Sequence, residues 1–132
     1  MCGTNMVFLR VLFCVIAITC AWLVTAEQVC TYPLGMESGA IPDASITASS
    51  ISVGFEPYHG RLNGVAGVGA WAARTNTIGE WLQVDLGEMK TVTGTIIQGR
   101  SSADQWVTSY KLQYSLDGLN WITYASSDGS EE

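Results

Sequence analysis

Few side chains in this sequence could serve as a catalytic acid or base. His59 is the only histidine of the chain, and Glu56 lies three residues before it, so the two could be paired as a general base and its partner. A loop histidine that contacts solvent is the simpler interpretation. One histidine excludes a metal site built from several imidazoles, and it excludes a zinc-binding HExxH helix.

Other patterns associated with catalysis or nucleotide binding are incomplete. Gly67-Val68-Gly69 is half of a dinucleotide-binding fingerprint, and it neither follows a strand nor opens a helix. Asp85 and Glu88 fall in a predicted strand and a predicted turn, and nothing marks them as an acid–base pair. No GxSxG nucleophile motif occurs. The sequence therefore predicts a binding protein and not an enzyme, with no cofactor and no metal.

Residues 1–26 have the three parts of a secretory signal peptide. A short leading segment ends in Arg10, an uncharged apolar run follows, and Val24-Thr25-Ala26 places small residues at its exit. The alternative is a membrane anchor, but residues 11–26 are fewer than the roughly 20 that a spanning helix needs. We expect cleavage after Ala26 and a secreted, extracellular product.

The charge of the remaining chain limits its partners. The full sequence has six basic and twelve acidic residues, and Arg10 is lost with the signal, so five against twelve leaves a net charge of −7. Nucleic acid is excluded as a partner because its binding depends on neutralising phosphates with cations. The same charge disfavours attraction to an anionic membrane by charge alone.

Cys30 is the only cysteine after the signal segment. Free thiols rarely persist in the oxidising surroundings of secreted proteins. An odd cysteine there indicates an intermolecular bridge, a reactive thiol or a missing partner. A small buried cysteine that packs as a hydrophobic residue is also compatible with the sequence.

Strand patterns begin clearly at Trp81. Residues 81–87 (WLQVDLG) place three aliphatic side chains on one face and Gln83 and Asp85 on the other, which is typical of a half-buried strand. Residues 91–98 (TVTGTIIQ) are rich in β-branched side chains and predict a second strand. Gly94 inside this strand indicates a bulge or a close backbone contact.

A hairpin is predicted near the end of the chain. Residues 107–116 and 119–124 alternate between polar and apolar side chains, and Asp117-Gly118 between them is a strong turn signal. Residues 45–49 could form an earlier short strand, followed by a long Gly-rich loop region. Short strands joined by turns and long loops predict an all-β sandwich or barrel.

Ordered motifs along the chain carry a resemblance to a known family. After Cys30 they are residues 34–39, Ile41-Pro42, 46–50, 61–63, 69–71, 81–87, Thr93-Gly94, 98–100, Ser109-Tyr110, Tyr114-Ser115, Asp117-Gly118 and Trp121. Together they resemble the discoidin domain, also called the coagulation factor V/VIII type C domain. The resemblance implies a jelly-roll β-sandwich of the galactose-binding-like type over residues 27–124, followed by a polar acidic tail at 125–132.

The resemblance also bears on Cys30. Domains of this family finish with further strands and a second cysteine that bridges to the first. The resemblance implies that Cys30 is the first half of that bridge, that its partner is absent from this chain, and that the last strands of the domain are missing.

The resemblance implies a binding and adhesion module, because family members bind phospholipid headgroups, glycans or collagen. Loops at one end of the sandwich form the binding face, and here they correspond to residues 51–58, 75–79 and 100–106. The candidate ligand-binding residues in these loops are Phe55, Tyr58, Asn76, Arg100, Asp104, Gln105 and Trp106.

The third loop favours a cell-surface or matrix glycan or protein as the ligand. An arginine fork and a carboxylate beside an aromatic ring suit hydroxyl-rich or peptide ligands. The first loop is short and offers only Ile51, Val53 and Phe55, which makes a phospholipid surface the alternative partner. A non-functional fragment of a larger adhesion protein is the third interpretation.

Several of the candidate residues also have purely structural interpretations. Arg100 could hold its own loop through a salt bridge with Asp104, and Trp106 could belong to the core or to the contact surface. A structural role is expected for Arg61. The remaining tryptophans after the signal segment are expected in the core; they are Trp71, Trp81 and Trp121.

Overall fold

The computed structural model describes residues 32–124. The chain divides into two units, Met1–Tyr32 and Pro33–Glu132, and all the elements below belong to the second. The predicted signal segment, Cys30 and the tail at 125–132 lie outside the described residues.

The described part of the chain consists of short strands, single 3₁₀ turns and long loops. In chain order the elements are the 3₁₀ turn η1 (Asp43–Ser45), strand β1 (Ile46–Ala48), the 3₁₀ turn η2 (Pro57–Gly60), and strands β2 (Leu82–Val84), β3 (Gln113–Tyr114) and β4 (Ile122–Thr123). Within residues 32–124 there is no helix with the length and apolar character needed to cross a membrane. The prediction of an all-β chain is confirmed.

Strands β1 and β2 form an antiparallel pair. Ile46 lies opposite Val84 and Ala48 lies opposite Leu82. The pairing extends past both strand ends, because the Ser49 amide donates to the Trp81 carbonyl at 3.0 Å and the Asp85 amide donates to the Ser45 carbonyl at 2.8 Å. The predicted strands at 45–49 and 81–87 are therefore present, although each is shorter than expected.

A small core lies behind this ladder. Within residues 32–124 the buried apolar side chains are Ile41, Ile46 and Pro57, and both η1 and β1 contact η2. Arg61 fastens the segment before β1, since its guanidinium donates to the Met36 carbonyl at 3.0 Å and to the Ile41 carbonyl at 2.6 Å. It also forms an ion pair with Asp43. The structural role expected for Arg61 is confirmed.

Strands β3 and β4 form the predicted hairpin. Gln113 pairs with Thr123 and Tyr114 pairs with Ile122. The carboxylate of Asp117 organises the connection, because it accepts the backbone N–H groups of Leu119 and Asn120 at 2.8 Å each. Hydrogen bonds from Asn120 and Leu119, together with that from Ser115, hold the Asp117 pKa far below its ordinary value. The connection runs from residue 115 to residue 121, so it is longer than the two-residue turn that Asp117-Gly118 predicts.

Some expected strand and core positions differ in the structure. Residues 91–98 are not assigned to a strand, because β propensity produces a strand only where a neighbouring strand completes the hydrogen-bond ladder. No atom outside the adjoining residues approaches within 4 Å of a Cβ built on Gly94, so the close contact expected there is not formed. Trp81 and Trp121 are 47% and 42% exposed, so the expectation that they are core residues is wrong. Trp71 is half-buried.

Candidate functional site

The first and second loops leave the same end of the β1–β2 ladder. Because the two strands are antiparallel, the chain that follows Ala48 and the chain that precedes Leu82 lie side by side. The first loop (residues 51–58) is joined to the segment before the second loop (residues 75–79) by the Ser52 amide, which donates to the Ala72 carbonyl at 2.9 Å.

The carboxylate of Glu80 binds hydroxyl groups from both loop roots. Its Oε2 accepts hydrogen bonds from Ser49 and from Ser50, the latter at 2.7 Å. Its Oε1 accepts the Thr75 hydroxyl at 2.8 Å. The Ser49 bond, with smaller effects from Ser50, Thr75 and the charge of Arg74, lowers the pKa of Glu80 from its ordinary value of 4.5.

The same serines bind the backbone on their acceptor side. The Ser49 oxygen accepts the Trp81 N–H at 2.9 Å, and the Ser50 oxygen accepts the Arg74 N–H at 3.0 Å. Side chain and backbone thus connect the end of β1, the start of β2 and the beginning of the second loop in one network. Glu80 is not among the residues predicted from sequence, and no motif marks it.

The third loop (residues 100–106) is held to the first loop by Arg100. The guanidinium carbon lies 5.1 Å from the centre of the Phe55 ring, which is a cation–π distance. The Nη1 group of Arg100 donates to the Gln105 side-chain oxygen at 2.8 Å, and its Nε donates to the Val68 carbonyl at 3.1 Å.

The salt bridge considered between Arg100 and Asp104, both among the described residues, is not formed. The Arg100 guanidinium donates a hydrogen bond to the Gln105 side-chain oxygen instead. The structure therefore brings Phe55, Arg100 and Gln105 together, and part of the donor capacity of Arg100 is used within the protein.

His59 is buried, with 9% of its surface exposed. Its Nδ1 lies 3.2 Å from the Gly54 carbonyl, and because a carbonyl oxygen only accepts, Nδ1 carries the proton. The Tyr58 ring meets it edge-on, with centroids 4.6 Å apart. The expectation of a solvent-contacting histidine is wrong: His59 packs beneath the first loop.

Gly67 explains how His59 is covered. Its φ is +57°, and a Cβ built on it would lie 2.2 Å from the imidazole ring. Only glycine permits this backbone to approach the ring so closely. The prediction that residues 67–69 form a loop is confirmed, and the glycine at position 67 serves the packing of His59.

The loop tips carry exposed apolar side chains. Val53, at the tip of the first loop, is 97% exposed and Ile78, in the second loop, is 107% exposed. Trp106 is 68% exposed, which places it on the surface and not in the core. Asn76 and Asp104 are exposed, whereas Phe55 and Tyr58 are half-buried. Ile78 is missed from sequence, although a lone aliphatic residue between Thr77 and Gly79 could have marked it.

Within residues 32–124 no group of three or more His, Cys, Asp or Glu side chains is close enough together to hold a metal ion. The site is therefore described by loop geometry, hydroxyl and carboxylate groups, and exposed apolar tips.

Comparison with known proteins identifies similar domains. The sequence model of the F5/8 type C domain matches residues 45–132. Lactadherin of Rattus norvegicus is 42% identical over 111 residues, which are 77% of this chain and 26% of that protein. Lactadherin of Bos taurus is 40% identical over the same length. Coagulation factor V of Bos taurus is 41% identical over 102 residues, which are 72% of this chain and 5% of that protein. The chain spans about a quarter of the lactadherins and about a twentieth of factor V.

Proposed function

The chain belongs to the F5/8 type C domain family, and from that premise we propose that it is an extracellular binding module whose loop end docks on a phospholipid membrane surface. Domains of this family are β-sandwiches and non-enzymatic binding modules, so the predictions of fold class and of a non-catalytic protein are confirmed. The extracellular location rests on the signal pattern of residues 1–26 together with this family.

The exposure of Val53 and Ile78 carries the proposal. Both are aliphatic, both are almost fully exposed, and their loops leave the same end of the β1–β2 ladder. Transferring one such side chain from water to an apolar phase contributes about 1.5–3 kcal/mol. Two tips that enter the boundary between headgroups and acyl chains together would give reversible membrane attachment.

The charge of the protein shapes this mode of binding. The net charge of −6 for the whole sequence opposes long-range attraction to anionic lipid. Attachment through apolar tips does not depend on that attraction, and it is not screened by salt. We therefore expect binding to zwitterionic vesicles that persists at high ionic strength.

Recognition of a cell-surface or matrix glycan or protein is the second candidate, and Trp106 is the observation that favours it. Its ring is 68% exposed and lies two residues from the exposed Asp104. An exposed ring beside a carboxylate suits a sugar or a peptide. The support is weaker than the sequence implied, because Arg100 and Gln105 bind each other.

Vesicle sedimentation tests the proposal. The chain is mixed with phosphatidylcholine vesicles, with and without phosphatidylserine, as the double variant Val53→Ser/Ile78→Ser and as wild type. We expect the apparent dissociation constant of the double variant to rise by about tenfold or more, since each 1.4 kcal/mol is a factor of ten.

Met89→Ser is the matched control. Met89 is 84% exposed and follows β2 at the opposite end of the ladder, so its substitution removes apolar surface without touching the loops. Equal weakening by the control, or wild-type protein that remains in the supernatant with every vesicle, would overturn the membrane proposal. Binding to a glycan array that is lost in Trp106→Ala would then favour the second candidate.

A further inference from the structure

We infer that Glu80 is a positioning residue, which fixes the second loop against the root of the first by setting the direction of three hydroxyl hydrogen bonds. The effect on ligand binding rests on the function proposed above. The effect on loop geometry does not, and it can be measured without a ligand.

The direction of the network follows from proton counting. An ionised carboxylate only accepts hydrogen bonds, and a hydroxyl has one proton to donate. The hydroxyl protons of Ser49, Ser50 and Thr75 therefore point to Glu80. The Trp81 carbonyl, 3.4 Å from the Ser49 oxygen, is the weaker acceptor because it is more distant and uncharged. Their oxygen lone pairs are left to accept from other donors.

Each of the three hydroxyl oxygens has one donor in place. Ser49 accepts the Trp81 N–H at 2.9 Å, and Ser50 accepts the Arg74 N–H at 3.0 Å. Thr75 and Thr77 have their hydroxyl oxygens 3.1 Å apart. Because the Thr75 proton is directed to Glu80, the Thr77 hydroxyl is the donor of that pair. Three chains of two hydrogen bonds thus converge on one carboxylate.

The residues of this network lie at both ends of the second loop. Arg74 and Thr75 are at its start, and Glu80 and Trp81 are at its end. The side-chain bond from Thr75 to Glu80 closes residues 75–80 into a ring, at 2.8 Å. The bonds from Ser49 and Ser50 attach that ring to the chain leaving β1. The two ends of the loop that carries Ile78 are therefore held against the start of the first loop.

Glu80→Gln is the variant that tests the inference. It keeps the size of the side chain and replaces one carboxylate oxygen, which accepts hydrogen bonds, by an NH₂ group, which donates them. The amide NH₂ donates where Glu80 accepted, so at least one hydroxyl must turn its proton away, and the bonds to the remaining oxygen lose the strength that the negative charge gave them. We expect amide hydrogen exchange at Arg74 or Trp81 to accelerate by about tenfold or more relative to wild type, while the exchange of β3–β4 amides stays unchanged. Glu88→Gln is the control, since that carboxylate pairs with Lys90 away from the loops.

A spectroscopic readout separates positioning from general stability. In wild-type protein the amide chemical shift of Arg74, which reaches Glu80 through the Ser50 hydroxyl, should follow the titration of a carboxyl group, and in Glu80→Gln that titration should vanish. Unchanged exchange at both amides in Glu80→Gln, or an Arg74 titration that survives the substitution, would overturn the inference.

Binding to phosphatidylcholine vesicles completes the test. We expect Glu80→Gln to weaken vesicle binding several-fold relative to Glu88→Gln, with both variants folded by circular dichroism. Faster amide exchange with undiminished vesicle binding would show that the loop geometry fixed by Glu80 does not serve the ligand. If wild-type protein binds no vesicle, the proposed function fails, and the amide measurements alone decide the role of Glu80.

Discussion

The guanidinium carbon of Arg100 lies 5.1 Å from the ring centre of Phe55, a residue far earlier in the chain. The two residues belong to different loops, and their contact joins the third loop to the first. Val68 and Gln105 receive hydrogen bonds from the same guanidinium. Arg100 is thus a connector between segments, and these contacts occupy part of its charge and donor capacity.

Replacing Arg100 should destabilise the protein more than it alters a ligand contact. Arg100→Met keeps an unbranched stem and loses both the cation–π contact and the hydrogen bonds. We expect a loss of about 1–3 kcal/mol in the free energy of unfolding, measured by urea denaturation. A double-mutant cycle with Phe55→Leu should give a coupling of about 0.5–1 kcal/mol. Unchanged stability together with lost ligand binding would instead make Arg100 a ligand contact.

Gly67 should tolerate no side chain. Gly67→Ala would place a methyl group 2.2 Å from the His59 ring at a φ of +57°. The imidazole or the backbone must move, at a cost of about 1–3 kcal/mol in the free energy of unfolding.

Gly87→Ala is the control for Gly67→Ala. Gly87 has a φ of +74°, nearer to that of Gly67, but a methyl group at this position would meet nothing within 4 Å, so the variant reports backbone strain without the clash. Urea denaturation of both variants measures the difference. Equal destabilisation would show that the contact with His59 contributes nothing.

Stability should fall in acid because the carboxyl groups of Glu80 and Asp117, and also that of Glu88, have lowered pKa values. The pKa of Glu80 is lowered from 4.5 and that of Asp117 from 3.8, in both cases chiefly by hydrogen bonds to the ionised form. A carboxyl group with a folded-state pKa below its unfolded value stabilises the protein above the unfolded value, and the stabilisation is lost as pH falls toward the folded value. We expect the free energy of unfolding to be level near neutral pH and to decline as pH falls below 4.5.

The double variant Glu80→Gln/Asp117→Asn identifies the source of this acid dependence. It should be less stable than wild type near neutral pH and show a shallower decline in acid. Chemical denaturation at a series of pH values measures both slopes. A decline in the double variant as steep as in wild type would assign the acid sensitivity to other groups.

Strand β2 could be predicted because its signal, the alternation around Leu82 and Val84, is local. The common end of the first two loops follows from the pairing of β2 with β1, which are far apart in sequence, and before the structure only the family resemblance implied it. The β3–β4 hairpin is also predicted by a local signal, Asp117-Gly118. The seven-residue length of its connection was not predicted, because it depends on the hydrogen bonds from the backbone of Leu119 and Asn120 to the Asp117 carboxylate.

The remaining features depend on contacts between residues far apart in sequence. Nothing near His59 shows that Gly67 will cover it, and nothing near Arg100 shows that Phe55 will lie beneath it. Residues 91–98 illustrate the opposite error. Their β-branched composition is a real preference, but a strand needs a neighbour to pair with, and Ile96 is 77% exposed in the structure.

The separation between the Glu80 network and the apolar tips makes this end of the protein a scaffold for loop exchange. The hydrogen bonds of Ser49, Ser50 and Thr75 hold the loop roots, whereas Val53 and Ile78 stand beyond them. The residues at the loop tips can therefore be replaced while the sequences of β1, β2 and the loop ends stay unchanged. Selection could change what the tips bind while the frame that presents them is inherited intact.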